Sequence, residues 1–132
     1  MVPSEPDPLH GTILLLEDEP AVLHSTTRML EKLGCTVLAV SDPQEALAIG
    51  KRLGSKIDLL ISDVVMPSMN GQELGRLLRE SNPQLPILFM SGYNADIVGP
   101  NGVLHEGISF IGKPFRMHDL EAKVRQLIQL EW

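Results

Sequence analysis

The stretch Asp58-Leu59-Leu60-Ile61-Ser62-Asp63-Val64-Val65-Met66-Pro67 decides the fold. Leu59, Leu60 and Ile61 form an unbroken apolar run. Strands of a parallel sheet covered by helices on both faces read this way. The run stops at one acid, Asp63, and Pro67 with the later Asn70-Gly71 pair marks a turn. A carboxylate is therefore expected at the carboxyl end of a central strand, the edge at which open α/β sheets bind ligands. An Asp there equally suits plain turn capping, so its role depends on what stands at the other strand ends.

Upstream, Thr12 to Leu16 reads as a buried first strand ending in Glu17-Asp18-Glu19 and Pro20. Pro in the first turn and acids near a helix N-terminus suit a helix start. That account serves Glu19, but it does not explain acids placed directly after the last buried residue. Val22, Met29, Leu30 and Leu33 recur at helical spacing, and Gly34 ends the helix. Thr36 to Val40 is a second strand. Asp42-Pro43-Gln44-Glu45 predicts a capped helix start, with Ala46, Leu47, Ile49 and Leu53 as its apolar stripe and Gly54 at its end.

Downstream, Gly71 leads into a helix through Glu73, Leu74, Leu77 and Leu78 that ends near Ser81-Asn82-Pro83. Pro86 to Met90 is a fourth strand, followed by Ser91-Gly92. Between Tyr93 and Gly107, the run Gly99-Pro100-Asn101-Gly102 is poor helix material, so a short, broken or mobile helix is expected there. Ser109 to Gly112 is a fifth strand, with Lys113-Pro114 after it. Asp119 to Leu130 is an amphipathic helix carrying Leu120, Val124, Leu127 and Ile128 on one face. Alternating strands and helices predict a doubly wound α/β domain over residues 12–130, with helices on both faces of a five-stranded parallel sheet and right-handed crossovers. Residues 1–11, with Pro3, Pro6 and Pro8 among small and charged neighbours, read as a flexible linker or tail.

Bulk properties narrow the function. A chain of 132 residues with 43% hydrophobic and 21% charged residues is one ordinary globular domain. A net charge of −6 suits a cation site or a basic partner and argues against direct nucleic-acid binding. No apolar run is long enough to span a membrane and no signal peptide opens the chain, so a cytoplasmic domain without membrane contact is expected. The single cysteine, Cys35, reads as a small structural hydrophobe. His10, His24, His105 and His118 have no partners at metal-ligand spacing.

The strand ends, taken together, supply Glu17 and Asp18 from the first strand, Asp63 from the third, Ser91 from the fourth and Lys113 from the fifth. In a parallel sheet these ends share one edge. Carboxylates held close together repel and favour a hard divalent cation, and few carboxylates completed by water suit Mg²⁺. A carboxylate flanked by a metal, an ammonium and a hydroxyl is suited to accept a phosphoryl group, with Asp63 as nucleophile, because that transfer depends on positioning and charge neutralisation.

These residues resemble the receiver domain of two-component response regulators, the CheY-like fold. The resemblance is carried by Glu17-Asp18, by Asp63-Val64-Val65-Met66-Pro67 with Gly71, by Ser91-Gly92 and by Lys113-Pro114-Phe115, in the family's order over nearly all of residues 12 to 130. The phrase Leu88-Phe89-Met90-Ser91-Gly92-Tyr93 is similar to receivers of hybrid sensor histidine kinases. The resemblance implies strand order 2-1-3-4-5 and makes Asp63 the phosphoacceptor. Glu17, Asp18, Asp63 and the main-chain carbonyl of Val65 would be the Mg²⁺ ligands, Lys113 would pair with the phosphate, and Ser91 and Phe110 would be the switch residues. It also implies a cis bond before Pro114 and a sensor histidine kinase or histidine phosphotransfer protein as partner, with a second copy of the chain as a further candidate. Self-phosphorylation and autodephosphorylation would be the only catalysis.

Departures from the family pattern carry their own expectations. Glu17 replaces the commoner Asp, and its longer arm is expected to reach the metal through water. Phe110 lacks the hydroxyl of the frequent tyrosine, so the switch would act by packing and rotamer. Val65 and Tyr93 flank the path of the hydrolytic water in the family, and their bulk predicts a slowly lost phosphoryl group. Two alternatives have other signatures. An aspartyl-nucleophile phosphatase of the haloacid-dehalogenase type places a second Asp two residues past the nucleophile, where this chain has Val65. A docking pseudo-receiver would lack the acceptor or the lysine, and both are present.

Overall fold

Side-chain alternation on the strands builds this fold. The computed structural model describes residues 9–64, 71–91 and 108–129. Its strands are β1 (Thr12–Leu16), β2 (Thr36–Val40), β3 (Leu59–Asp63), β4 (Ile87–Ser91) and β5 (Ile108–Gly112). Its α-helices are α1 (Pro20–Lys32), α2 (Pro43–Leu53), α3 (Gly71–Ser81) and α4 (Met117–Gln129), and a 3-10 turn (Gly54–Lys56) follows α2. All strand pairs are parallel, in the order β2-β1-β3-β4-β5. The expected order and doubly wound architecture are those observed. Element ends fall within two residues of the sequence reading. The proposed helix within Tyr93–Gly107 lies outside the described residues.

Successive strand side chains point to opposite faces, and this divides the core in two. Ile13, Leu15, Leu59, Ile61, Leu88 and Met90 pack with Leu30 of α1 and with Leu120, Val124 and Leu127 of α4. Leu14, Leu16, Leu60, Ile87 and Phe89 pack with Ala46 of α2 and with Leu74 and Leu78 of α3. β3 is buried along its whole length, which is why its sequence shows an unbroken apolar run rather than alternation. β2, at the sheet edge, is only partly buried.

The helices follow the predicted stripes with instructive differences. In α1 the fully buried positions are Thr26 and Leu30, flanked by Leu23 and Met29, while Val22 is only half-buried. Asp42 caps α2 by accepting a hydrogen bond from the Gln44 N–H at 3.3 Å. Gly50 is the buried centre of the α2 stripe, and a Cβ there would overlap Leu78 of α3. At the amino end of the sheet, Asn82 Nδ2 donates to the carbonyls of Gly54 (3.1 Å) and Ile57 (3.2 Å). There too Asp58 Oδ2 accepts from the Thr12 N–H at 2.8 Å.

Of the expected tail over residues 1–11, residues 1–8 lie outside the described residues, and residues 9–11 are described. Leu9 is buried in the first core half, and its N–H donates to the Leu33 carbonyl at 2.8 Å. The Gly11 carbonyl accepts from Thr36 N–H at 2.9 Å. Among the described residues, Leu9 thus joins the core three residues before β1. The proline-rich composition around Leu9 gives no sign of this burial.

Candidate functional site

The carboxyl edge of the sheet gathers the singled-out side chains. Glu17 follows β1, and its N–H is held by the Val40 carbonyl of β2 at 3.2 Å. Asp63 closes β3 beside Met90 of β4, and the next N–H, of Val64, donates to the Met90 carbonyl at 3.1 Å. Ser91 ends β4, buried, and its carbonyl accepts from the Lys113 N–H at 2.7 Å, which sets Lys113 just past β5. Parallel pairing thus delivers residues 96 positions apart, Glu17 and Lys113, to one spot.

Lys113 is the hub. Its Nζ donates to Glu17 Oε1 at 2.7 Å and to Asp63 Oδ2 at 3.0 Å. Glu17 is fully buried, and its other oxygen, Oε2, accepts from the Glu19 N–H at 2.9 Å. Both Glu17 oxygens therefore have partners inside the protein, so in this structure its longer arm holds the lysine. Glu19, expected as a helix-start acid, is the N-cap of α1 and makes no side-chain cap hydrogen bond. Burial raises the Glu17 pKa above 4.5, and the hydrogen bonds to Lys113 and Glu19 offset part of that rise. Burial pushes the Lys113 ammonium down, but its hydrogen bonds and attraction to Glu17 and Asp63 together outweigh this and leave its pKa raised. The lysine is held firmly charged between two acids.

Carboxylate oxygens of Glu17, Asp18 and Asp63 all lie within 4.8 Å of one another. With Asp18 exposed and Asp63 only 9% exposed, the group is open on one side and dry on the other. Among the described residues, one ammonium against three carboxylates leaves an excess of negative charge in a partly desolvated place. Oxygen-only ligands with an excess of negative charge fit a hard divalent cation. Val65, expected to add a main-chain ligand, lies outside the described residues, as do Tyr93 and His105. His10, His24 and His118 are exposed.

Phe110 is half-buried on the α2/α3 side of the sheet, tilted 35° against Phe89 with ring centroids 5.5 Å apart. The Lys113–Pro114 peptide is cis, as expected. Two features escaped the sequence reading. Ser62 Oγ donates to the Asp63 carbonyl at 2.9 Å. The signal was present: a lone hydroxyl in a strand buried on both faces must find an acceptor. Beside Lys113 a cavity of about 270 Å³ opens between α1 and the chain after β5, lined by Val22, Ser25, Thr26, Met29, Pro114 and Phe115. The buried Thr26 Oγ1 has no hydrogen-bond partner among the described residues. Thr26 occupies an apolar helical position, and only the tertiary structure reveals its surroundings.

A doubly wound parallel sheet with a carboxylate–ammonium cluster at its carboxyl edge defines the class. The sequence profile of the response regulator receiver domain matches residues 13–125, and the chain belongs to that family. It is 38% identical over 119 residues to the sensor kinase CckA of Brucella abortus, covering 90% of this chain and 13% of CckA. It is 32% identical to the response regulator receiver protein CpdR of the same organism, covering 88% of this chain and 95% of CpdR. The crystal structure of the receiver domain from the hybrid histidine kinase CckA matches with a TM-score of 0.78 at 37% identity, covering 90% of this chain and all of that one. The chain spans only a small part of the kinase it matches, so the kinase's activity is not carried over.

Proposed function

We propose that this receiver domain accepts a phosphoryl group on the Asp63 carboxylate from a phosphohistidine of a sensor histidine kinase or a histidine phosphotransfer protein. The observation that carries the reading is the Lys113 ammonium, 3.0 Å from Asp63 and anchored from behind by buried Glu17. In the transfer an Asp63 oxygen attacks phosphorus, the phosphorus–nitrogen bond breaks, and the histidine nitrogen leaves with the bond's electron pair. Lys113 neutralises charge on the phosphoryl oxygens, which is the main requirement of such transfers. Asp18, Asp63 and the Val65 carbonyl would hold Mg²⁺, with Glu17 reaching it through water, and the ion would supply further charge neutralisation when bound. Ser91 would then donate to a phosphoryl oxygen, and Phe110 would adjust its packing. A new dianionic group favours such rearrangement by electrostatics. We place the domain in the cytoplasm; among the described residues no helix is long and apolar enough to cross a membrane.

Incubation with Mg²⁺ and acetyl phosphate, read by intact mass, tests the proposal. The native chain should gain one phosphoryl group and Asp63→Asn none. Uptake by both, or by neither, overturns it. Sustained turnover of a generic phosphate ester would instead favour the phosphatase alternative.

A further inference from the structure

Phe89 takes no part in the chemistry proposed above, yet its ring lies between the acceptor end of β3 and Phe110. It is 3% exposed, and the strand register sets it beside Ser62 on one flank and Phe110 on the other. Its ring meets that of Phe110 at 5.5 Å. Above it, α3 presents glycine twice. A Cβ at Gly71 would stand 3.2 Å from Phe89 Cε1 and 3.1 Å from Ser62 Oγ, and one at Gly75 would stand 3.9 Å from Phe89 Cζ. The start of α3 therefore approaches the ring with no side chain of its own between. Gly71 is in turn tied to the acceptor strand, its N–H donating to the Val64 carbonyl at 2.8 Å, while Ser62 Oγ holds the Asp63 carbonyl. Hydrogen bonds tie Ser62 and Gly71 to the main chain around Asp63, strand register and the close approach of Gly71 set both beside Phe89, and the Phe89 ring meets Phe110. A close-packed interior transmits small shifts along such a line, and a flat ring with few rotamers does so with little slack.

We propose that Phe89 is a positioning residue that couples the main chain around Asp63 to the packing of Phe110. Its bearing on the switch rests on the reading of Asp63 as phosphoacceptor, but the coupling itself can be measured without phosphate. Ser62 and Phe110 stand two strands apart, about 10 Å, beyond direct contact. Sites that far apart with no shared partner add independently.

The test is a double-mutant cycle of Ser62→Ala and Phe110→Leu in the full chain, read as the urea-unfolding equilibrium constant. With Phe89 in place the pair should depart from additivity by about threefold, the low end for residues sharing a partner. In the Phe89→Met background, which conserves volume but not the rigid plane, the departure should vanish. Leu88→Met, on the same strand but facing the other core half, should leave it intact. Additive behaviour with Phe89 present, or equal loss in Leu88→Met, overturns the proposal. Fluorinated phenylalanine gives a second readout, with Phe115 as internal reference. The Phe110 resonance should move on acetyl phosphate treatment in the native chain and at least about threefold less in Phe89→Met. An undiminished shift overturns the coupling. Absence of phosphate uptake by the native chain instead defeats the phosphoacceptor reading and leaves the urea cycle to decide.

Discussion

Lys113 and Glu17 show how much depends on single side chains here. Removing one partner from a desolvated ion pair leaves the other charge buried without compensation. Lys113→Met should therefore destabilise the fold by about 3 kcal/mol in urea titrations, besides impairing phosphate uptake. A loss under about 1 kcal/mol would mean that the pair behaves as a surface pair. Cys35 gives a separate check on burial. Its pKa is raised from 9.0, chiefly by desolvation, which outweighs the attraction of Arg125. A thiol whose folded pKa exceeds its unfolded one contributes stability fully present below pH 9.0 and lost as pH rises through the folded value. Between pH 8 and pH 10 the native chain should thus lose stability relative to Cys35→Ala; parallel pH profiles would contradict it.

Close approach decides the behaviour of the helices. A Cβ at Gly71 would meet the Asp63 main-chain carbonyl, which the β3–β4 ladder and Ser62 hold in place. Gly71→Ala should cost at least about 2 kcal/mol, since a backbone atom cannot step aside as a side-chain end can. Gly50→Ala is a closer contest. Alanine gains about 1 kcal/mol over glycine in a helix interior. The new methyl, however, meets Leu78, which is 2% exposed and has nowhere to turn. Overpacking of about 1–3 kcal/mol prevails, so the variant should be less stable in thermal or urea unfolding. A more stable variant would show that Leu78 can repack.

The molecule as a whole extends further towards its N-terminus than the first strand. A chain beginning at Thr12 would lose Leu9 from the core together with its hydrogen bond to Leu33. It should be less stable than one beginning at Pro8 by about 2–3 kcal/mol, the value of burying one leucine. Equal stability would return residues 9–11 to the tail. At this scale the acidic edge and the two-sided core are consequences of one choice, a parallel sheet. That choice forces helices onto both faces and collects every strand's carboxyl end on one side.

The sequence by itself determined the element order, the two-sided burial of β3 and the identity of the residues at the strand ends. Each of these is written in local patterns: an apolar run in Leu59 to Ile61, a capped start at Asp42-Pro43, a helical stripe at Leu120, Val124 and Leu127. The family resemblance added the order of the strands. What the sequence could not contain was who meets whom across the sheet. That Glu17 spends both oxygens on Lys113 and the Glu19 N–H follows from parallel register between β1 and its neighbours. That Thr26 is buried with no hydrogen-bond partner for its Oγ1 among the described residues, that Leu9 belongs to the core and that Phe89 stands between Ser62 and Phe110 follow from packing between segments distant in the chain. Periodicity reports which face a residue occupies; only the tertiary structure decides what that face touches, because contact depends on register and approach distance that no local pattern encodes.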